Sequence, residues 1–250
     1  MRRPLRGTVA AALASLVLAG CGGGTVQTTD PAVHAAAAST DTEPTVLATA
    51  TATGALRATL TNTGKPITIW AMPGGDSTGS LPASTSYRSA RTLLVDRIEG
   101  DWVRVLLPTR PNGSTGWVKA ADIRISRIQE SISVNLTAKT ITVTLPGQAP
   151  VAAPAGIGTV KNPTPKGRFY VTDRVTPANP AGAYGPLALG LSAHSDTLSE
   201  FGSGDGQIGI HGTNEPASIG KAASHGCIRV PTTIVTLLRQ IPLGTPVLIS

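Results

Sequence analysis

From Leu56 onward, apolar residues recur at every second position in short runs, and clusters of Pro, Gly, Asn and Ser separate one run from the next. A period of two is the strand period, so this pattern confines the chain to sheets. Ile67–Trp70, Arg91–Arg97, Asp101–Leu106 and Thr115–Lys119 are such runs, and together they predict a small all-β barrel. Further on, Ile132, Val134 and Leu136 alternate with Ser and Asn, and Ile141, Val143 and Leu145 alternate with Thr. That pattern predicts a hairpin with one buried face and a turn near residues 137–139. The turn cluster Pro163–Gly167 leads into a strand at Arg168–Thr172, Ile208–His211 forms another, and Gly244–Ser250 closes the chain as a last strand. Helical spacing occurs once, where Ile234, Leu237 and Leu238 share a stripe behind Pro231 in a first turn. The expectation is a mainly β protein with one short helix.

The N-terminus is of another kind. Arg2, Arg3 and Arg6 precede an apolar run from Thr8 to Ala19, and Leu18-Ala19-Gly20-Cys21 follows the form of a lipoprotein processing site. The run is shorter than the roughly 20 residues that span a bilayer. Cys21 is therefore expected to be the acylated N-terminus of an exported, membrane-anchored lipoprotein facing the cell wall or periplasm; a plain signal peptide is the alternative. Thr25 to Thr53 is Ala, Thr, Ser and Pro with almost no large apolar side chains, a composition that reads as a disordered tether. About 30 such residues reach roughly 30 Å as a coil and about 100 Å when straight. His34 lies in this tether and has no expected role. The expected organisation is a signal over 1–20, a tether over 21–55, a first domain over 56–126 and a second over 127–250. Loss of Arg2, Arg3 and Arg6 with the signal lowers the formal charge from +7 to +4. A basic exterior suits anionic wall polymers or lipid head groups. No basic block is interleaved with aromatics, so nucleic acid is not an expected partner.

The sequence holds two cysteines, Cys21 and Cys227. With Cys21 lipidated, Cys227 has no disulfide partner; a Cys21–Cys227 bridge is the alternative. A lone thiol in an exported chain is either buried as a small hydrophobe or used in chemistry. Cys227 sits in the polar, glycine-flanked stretch Ser224-His225-Gly226-Cys227-Ile228-Arg229, and His211-Gly212 lies 16 residues upstream. At its reference pKa a cysteine is only about 3% thiolate at pH 7, so a nucleophile needs a base or a helix N-terminus beside it. Both are expected here. On strand Ile208–His211, period two puts His211 on the face opposite Ile208 and Ile210, and the expected helix beyond Cys227 turns its positive end towards the thiol. Gly212 and Gly226 permit a tight turn and close approach of main-chain N–H groups to an oxyanion. Two other readings stay open at this level: a packing role for all three side chains, and a zinc site built from His211, His225 and Cys227, which wants a fourth ligand that only Glu215 could supply.

The stretch from His211 through Ser224-His-Gly-Cys227-Ile-Arg229 resembles the signature of the L,D-transpeptidase catalytic domain family of bacterial peptidoglycan metabolism. Thr164-Pro-Lys-Gly-Arg-Phe169 and Tyr184-Gly-Pro-Leu-Ala-Leu189 are similar to the family's upstream blocks. The resemblance covers roughly the last 120 residues. It implies a β-sandwich with a cleft over Cys227 as nucleophile. It also implies His211 as proton acceptor and donor, oriented through the Gly212 carbonyl, and an oxyanion hole of N–H groups around Gly226 and Cys227. Ser224, His225 and Arg229 would support the site or contact the stem peptide; Arg229 stands where some members carry Asn. Asp173, Arg174 and His194 match no motif and are expected on the surface or in loops. The first domain resembles the bacterial SH3-like fold through Glu99-Gly-Asp-Trp-Val-Arg-Val and Gly113-Ser-Thr-Gly-Trp-Val-Lys-Ala-Ala-Asp-Ile. Trp70, Trp102 and Trp117 are expected in its core, with a ligand groove as the alternative.

The function so implied is acyl transfer from a peptidoglycan tetrapeptide stem, with release of D-alanine and formation of a 3-3 cross-link. No metal or cofactor is required, and carbapenem-type inhibitors are expected to acylate Cys227. Water as acceptor would make the chain an L,D-carboxypeptidase, and an inactive second domain would leave a wall-binding lipoprotein. A papain-like endopeptidase is excluded, because no histidine follows Cys227.

Overall fold

The computed structural model describes residues 54–200 and 204–250. The expected signal, Cys21 and His34 lie outside the described residues, as does the tether as far as Thr53. Strand structure begins at Ala55, one residue ahead of the expected boundary.

Seven strands form the first sheet: β1 (Ala55–Leu60), β2 (Ile67–Trp70), β3 (Ser77–Leu81), β4 (Thr92–Glu99), β5 (Trp102–Leu106), β6 (Thr115–Lys119) and β7 (Ile123–Ile128). They are ordered β3-β2-β6-β5-β4-β1-β7. The apolar members of each alternation face one core, where Ile67, Ile69, Val103, Val105 and Val118 are buried together. Strand alternation then puts the tryptophans on the other side: Ile69 inward turns Trp70 outward, Val103 turns Trp102, and Val118 turns Trp117. The expectation of core tryptophans is corrected for Trp70 and Trp102, whereas Trp117 is buried. Trp70 and Trp102 are half-buried and meet edge to face with ring centroids 5.6 Å apart. Lys119 Nζ lies over both rings, at 5.4 and 5.9 Å. Trp117 is only 6% exposed, and the Arg97 guanidinium lies over its ring at 5.2 Å. Branched aliphatics fill so small a core, and the cations supply the outer rings with cation–π contact.

Beyond β7 come β8 (Ser131–Asn135), β9 (Thr140–Thr144), β10 (Val151–Pro154), β11 (Ile157–Gly158), β12 (Gly167–Val175), β13 (Ala188–His194), β14 (Gln207–His211), β15 (Ala222–Ser224), β16 (Ile228–Arg229) and β17 (Pro246–Ile249). Eight of them form one sheet, ordered β10-β9-β8-β17-β12-β13-β14-β16, while β11 and β15 pair in parallel beside it. The expected hairpin is β8–β9, with Ile132 opposite Val143 and Val134 opposite Ile141. These four residues share one core with Leu189, Leu191, Ile208 and Ile210, although β8, β17, β12 and β13 all lie between β9 and β14 in the sheet order. The sheet must therefore curl so that its two ends face each other. β12 makes the bend: its residues 167–170 pair with β17, its residues 171–175 pair with β13, and the register shifts between Val171 and Asp173.

The one α-helix among the described residues, α1 (Thr232–Leu238), follows Pro231, which stands at its N-cap and not within its first turn. Ile234, Val235 and Leu238 seal the same core, with Leu237 packed at its edge. Burial of each such side chain contributes about 1.5–3 kcal/mol.

Period two in β12 also joins the two cores. Phe169 and Val171 enter the core of the curled sheet, whereas Tyr170 between them is wholly buried in the core of the first sheet. Its hydroxyl donates to the Leu106 carbonyl at 3.3 Å, and burial pushes its pKa upward.

Candidate active site

β14 places His211 where its alternation requires. Ile208 and Ile210 lie in the core, and His211 at the strand end turns to the opposite face. β16 runs parallel to β14, with Ile210 opposite Ile228 and His211 opposite Arg229. Cys227 therefore sits immediately before β16, level with Gly209, whose N–H points at Cys227 Sγ over 3.4 Å. A cleft of about 110 Å³ opens over this edge, and His211, Cys227, Ser224, His225 and Arg229 all line it.

Two side-chain hydroxyls, of Ser224 and Thr164, bond main-chain groups and hold the turn that carries Cys227. Ser224 Oγ donates to the Cys227 carbonyl at 2.6 Å and accepts the Gly226 N–H at 3.1 Å. Buried Thr164 Oγ1 donates to the Gly226 carbonyl at 2.7 Å and accepts the Gly158 N–H at 2.9 Å. Because a trans peptide points its C=O and N–H in opposite directions, the Gly226 carbonyl's bond inward turns the Cys227 N–H away from Thr164. Of the N–H groups expected around the oxyanion, that of Gly226 donates to Ser224 Oγ. Gly226 itself is required, since its φ is +121° and an added Cβ would lie 2.8 Å from Ile208 Cδ1.

His211 is buried, and its Nδ1 lies 2.5 Å from the Gly212 carbonyl oxygen. A carbonyl only accepts, so in the neutral ring Nδ1 carries the hydrogen and Nε2 keeps the lone pair. Burial is the main cause that holds the His211 pKa down to about 4; the Gly212 carbonyl opposes it and Arg229 reinforces it. Tyr184 packs against this imidazole with ring centroids 4.8 Å apart. That approach depends on Gly185, where φ is +63° and a Cβ would lie 2.8 Å from Gly212 Cα.

The thiol does not follow the expectation set by the helix. Burial pushes the Cys227 pKa up, outweighing the Gly209 N–H and the charge of Arg229, which both lower it. Cys227 rests as a thiol, so proton removal falls to a base.

Arg229 Nη1 donates to Glu215 Oε2 at 2.5 Å, with the arginine side chain largely covered and the glutamate largely exposed. Glu215 is thus engaged by a cation. Asp173 and His194, expected at the surface, are 1% and 5% exposed. Thr85, Thr172 and Gln207 donate to Asp173. Asn112 bonds the His194 main chain, the His194 Nε2 meets Asp205 Oδ2 at 3.1 Å, and its buried Nδ1 has no hydrogen-bond partner among the described residues. Arg174 is exposed and donates to the Ile241 carbonyl. Sequence reasoning assigned no role to Thr164 or Tyr184, although both stood in the quoted upstream blocks; long-range contacts alone bring Tyr184 to the cleft and Thr164 beneath the turn that carries Cys227.

The profile of the YkuD family, the L,D-transpeptidase catalytic domain, matches residues 129–249. YkuD of Bacillus subtilis (strain 168) is 38% identical over 120 residues, which cover 48% of this chain and 65% of that protein. YkuD of Bacillus licheniformis is 32% identical over 155 residues, which cover 59% of this chain and 86% of that protein. The chain belongs to the L,D-transpeptidase catalytic domain family. An L,D-transpeptidase structure from Mycobacterium smegmatis aligns with a TM-score of 0.39 at 16% identity, over 65% of this chain and 91% of that one. The transpeptidase match contains His211, Cys227 and the Thr164 turn anchor, and β1–β7 lie outside it.

Proposed function

We propose that this protein is a peptidoglycan L,D-transpeptidase that works through Cys227 and His211. The observation that carries the reading is one cleft lined by both His211 and Cys227, with His211 Nδ1 held at the Gly212 carbonyl so that Nε2 is left to accept a proton. As Cys227 Sγ attacks the carbonyl of the third residue of a tetrapeptide stem, His211 Nε2 takes the thiol proton. The carbonyl oxygen becomes an oxyanion, for which the Cys227 N–H is the donor at hand. Collapse breaks the bond to the terminal D-alanine, whose amine receives the proton from His211, and a thioester remains. The side-chain amine of a second stem then attacks the thioester. His211 takes the amine's proton and returns it to Sγ, leaving a 3-3 amide and a free thiol. Arg229 favours the developing thiolate and disfavours a resting imidazolium, while Glu215 holds its guanidinium in place. Lipidation at Cys21 and export to the wall side of the membrane complete the reading.

Purified protein incubated with disaccharide tetrapeptide should yield a cross-linked dimer lacking one D-alanine, with none from Cys227→Ala. Cross-links from that variant would overturn the assignment, and tripeptide as sole product would make the enzyme an L,D-carboxypeptidase. A carbapenem should add its whole mass once per chain to the wild type and not to the variant.

A further inference from the structure

One wall of the cleft is formed by Ser195, Leu198 and Gly206, from the connection between β13 and β14. Over residues 196–200 of this connection, Asp196, Thr197, Ser199 and Glu200 are exposed and Leu198 is half-buried, so burial contributes little to holding that stretch. Hydrogen bonds hold it instead. Ser195 Oγ accepts the N–H groups of Thr197 and Leu198 at 3.3 and 3.1 Å, and the Ser195 N–H donates to the Gly206 carbonyl at 2.8 Å. Thr197 Oγ1 donates to Asn162 Oδ1 at 3.2 Å, and further bonds come from the first sheet, which lies outside the family match. In the β5–β6 connection, Arg110 Nη2 donates to the carbonyls of Ser195 and Leu198 at 3.2 and 2.9 Å. Asn112 pairs with the His194 main chain as a neighbouring strand would: its Nδ2 donates to the carbonyl at 2.7 Å and its Oδ1 accepts the N–H at 2.9 Å. The same Nδ2 reaches Asp196 Oδ1 at 3.0 Å. Gly206 fits tightly under this arrangement. Its φ is +78°, and an added Cβ would stand 2.2 Å from the Leu198 carbonyl oxygen and 2.9 Å from Arg110 Nη2.

We propose that Arg110 and Asn112 are positioning residues for the stem-peptide cleft, through which the first sheet sets the wall formed by Ser195, Leu198 and Gly206. The proposal rests on the transpeptidase reading for the identity of the ligand, but the positioning itself is independent of turnover. The guanidinium is a planar group of donors with no acceptor, and its Nη2 alone carries two hydrogens, which suits it to hold two carbonyls. Asn112 adds the reciprocal pair that fixes the start of the connection. Misplacing a substrate-contacting wall by about 1 Å can cost on the order of a hundredfold in rate. The close fit of the Arg110 head group against Gly206 makes such a displacement the direct consequence of its removal.

The test uses the full chain with Arg110→Ala, Asn112→Ala, the double variant and Arg110→Lys. The double variant should raise amide hydrogen exchange at Thr197 and Leu198 and raise KM for the tetrapeptide on the order of tenfold, with a parallel fall in carbapenem acylation rate. Alkylation of Cys227 by iodoacetamide, too small to need the wall, should stay unchanged, and Arg110→Lys should recover part of the loss. Unchanged exchange would overturn the proposal. So would raised exchange with unchanged KM and acylation, or a fall in iodoacetamide reactivity parallel to the fall in acylation, which would signal general collapse. A wild type that turns over no stem sinks the transpeptidase reading, while the exchange, acylation and alkylation arms still decide the positioning role.

Discussion

His211 has its ordinary pKa near 6.5 in the unfolded chain and about 4 in the fold. Between those values the unfolded chain binds more protons, so stability rises as pH increases from about 4 to 6.5 and falls on acidification. At the acid end the shift is worth on the order of 3 kcal/mol, and His211→Gln should flatten this part of a stability profile measured by denaturant melts. The same shift predicts a kcat/KM acid limb with its midpoint well below 6.5, in the direction of 4; a limb at the ordinary histidine value would contradict a buried, neutral base. Thr164 is the second decisive side chain. Thr164→Val preserves shape but strips the Gly226 carbonyl and the Gly158 N–H of their partner, both in buried surroundings. A loss of about 1–3 kcal/mol is expected from urea unfolding, with slower carbapenem acylation because the turn under Cys227 is released.

At the scale of elements, the turn between β15 and β16 is the least replaceable piece of backbone. Gly226→Ala must strain a left-handed φ and push Ile208, so a loss of about 1–3 kcal/mol is expected from thermal or urea unfolding, with the thiol displaced. α1 acts by packing. Leu238 is fully buried, and Leu238→Ala should cost about 2–5 kcal/mol. Ahead of the helix N-terminus the Cys227 pKa is pushed up by burial, which outweighs the Gly209 N–H and Arg229. The alternation of β8, β9 and β14 was legible in the sequence because one face of each is apolar. β3 was not, since Leu81 is its only buried residue and its sequence Ser-Thr-Gly-Ser-Leu shows no period.

Across the whole molecule, β12 ties two cores into one structure. Removal of the Tyr170 ring should destabilise by about 3–5 kcal/mol, and Tyr170→Phe, which loses only the bond to Leu106, by about 1 kcal/mol. Calorimetry of Tyr170→Ala should show the two sheets melting apart where the wild type shows a single transition. The sequence by itself determined the strand periods, the single helix, and the grouping of His211 with Ser224, His225, Gly226, Cys227 and Arg229, because these depend on local spacing. Only the tertiary structure decided the protonation of the thiol and imidazole, the outward turn of Trp70 and Trp102, the burial of Asp173 and His194, and the reach of Arg110 to the cleft wall. Those features depend on desolvation and on contacts between residues far apart in the chain, which no local pattern records.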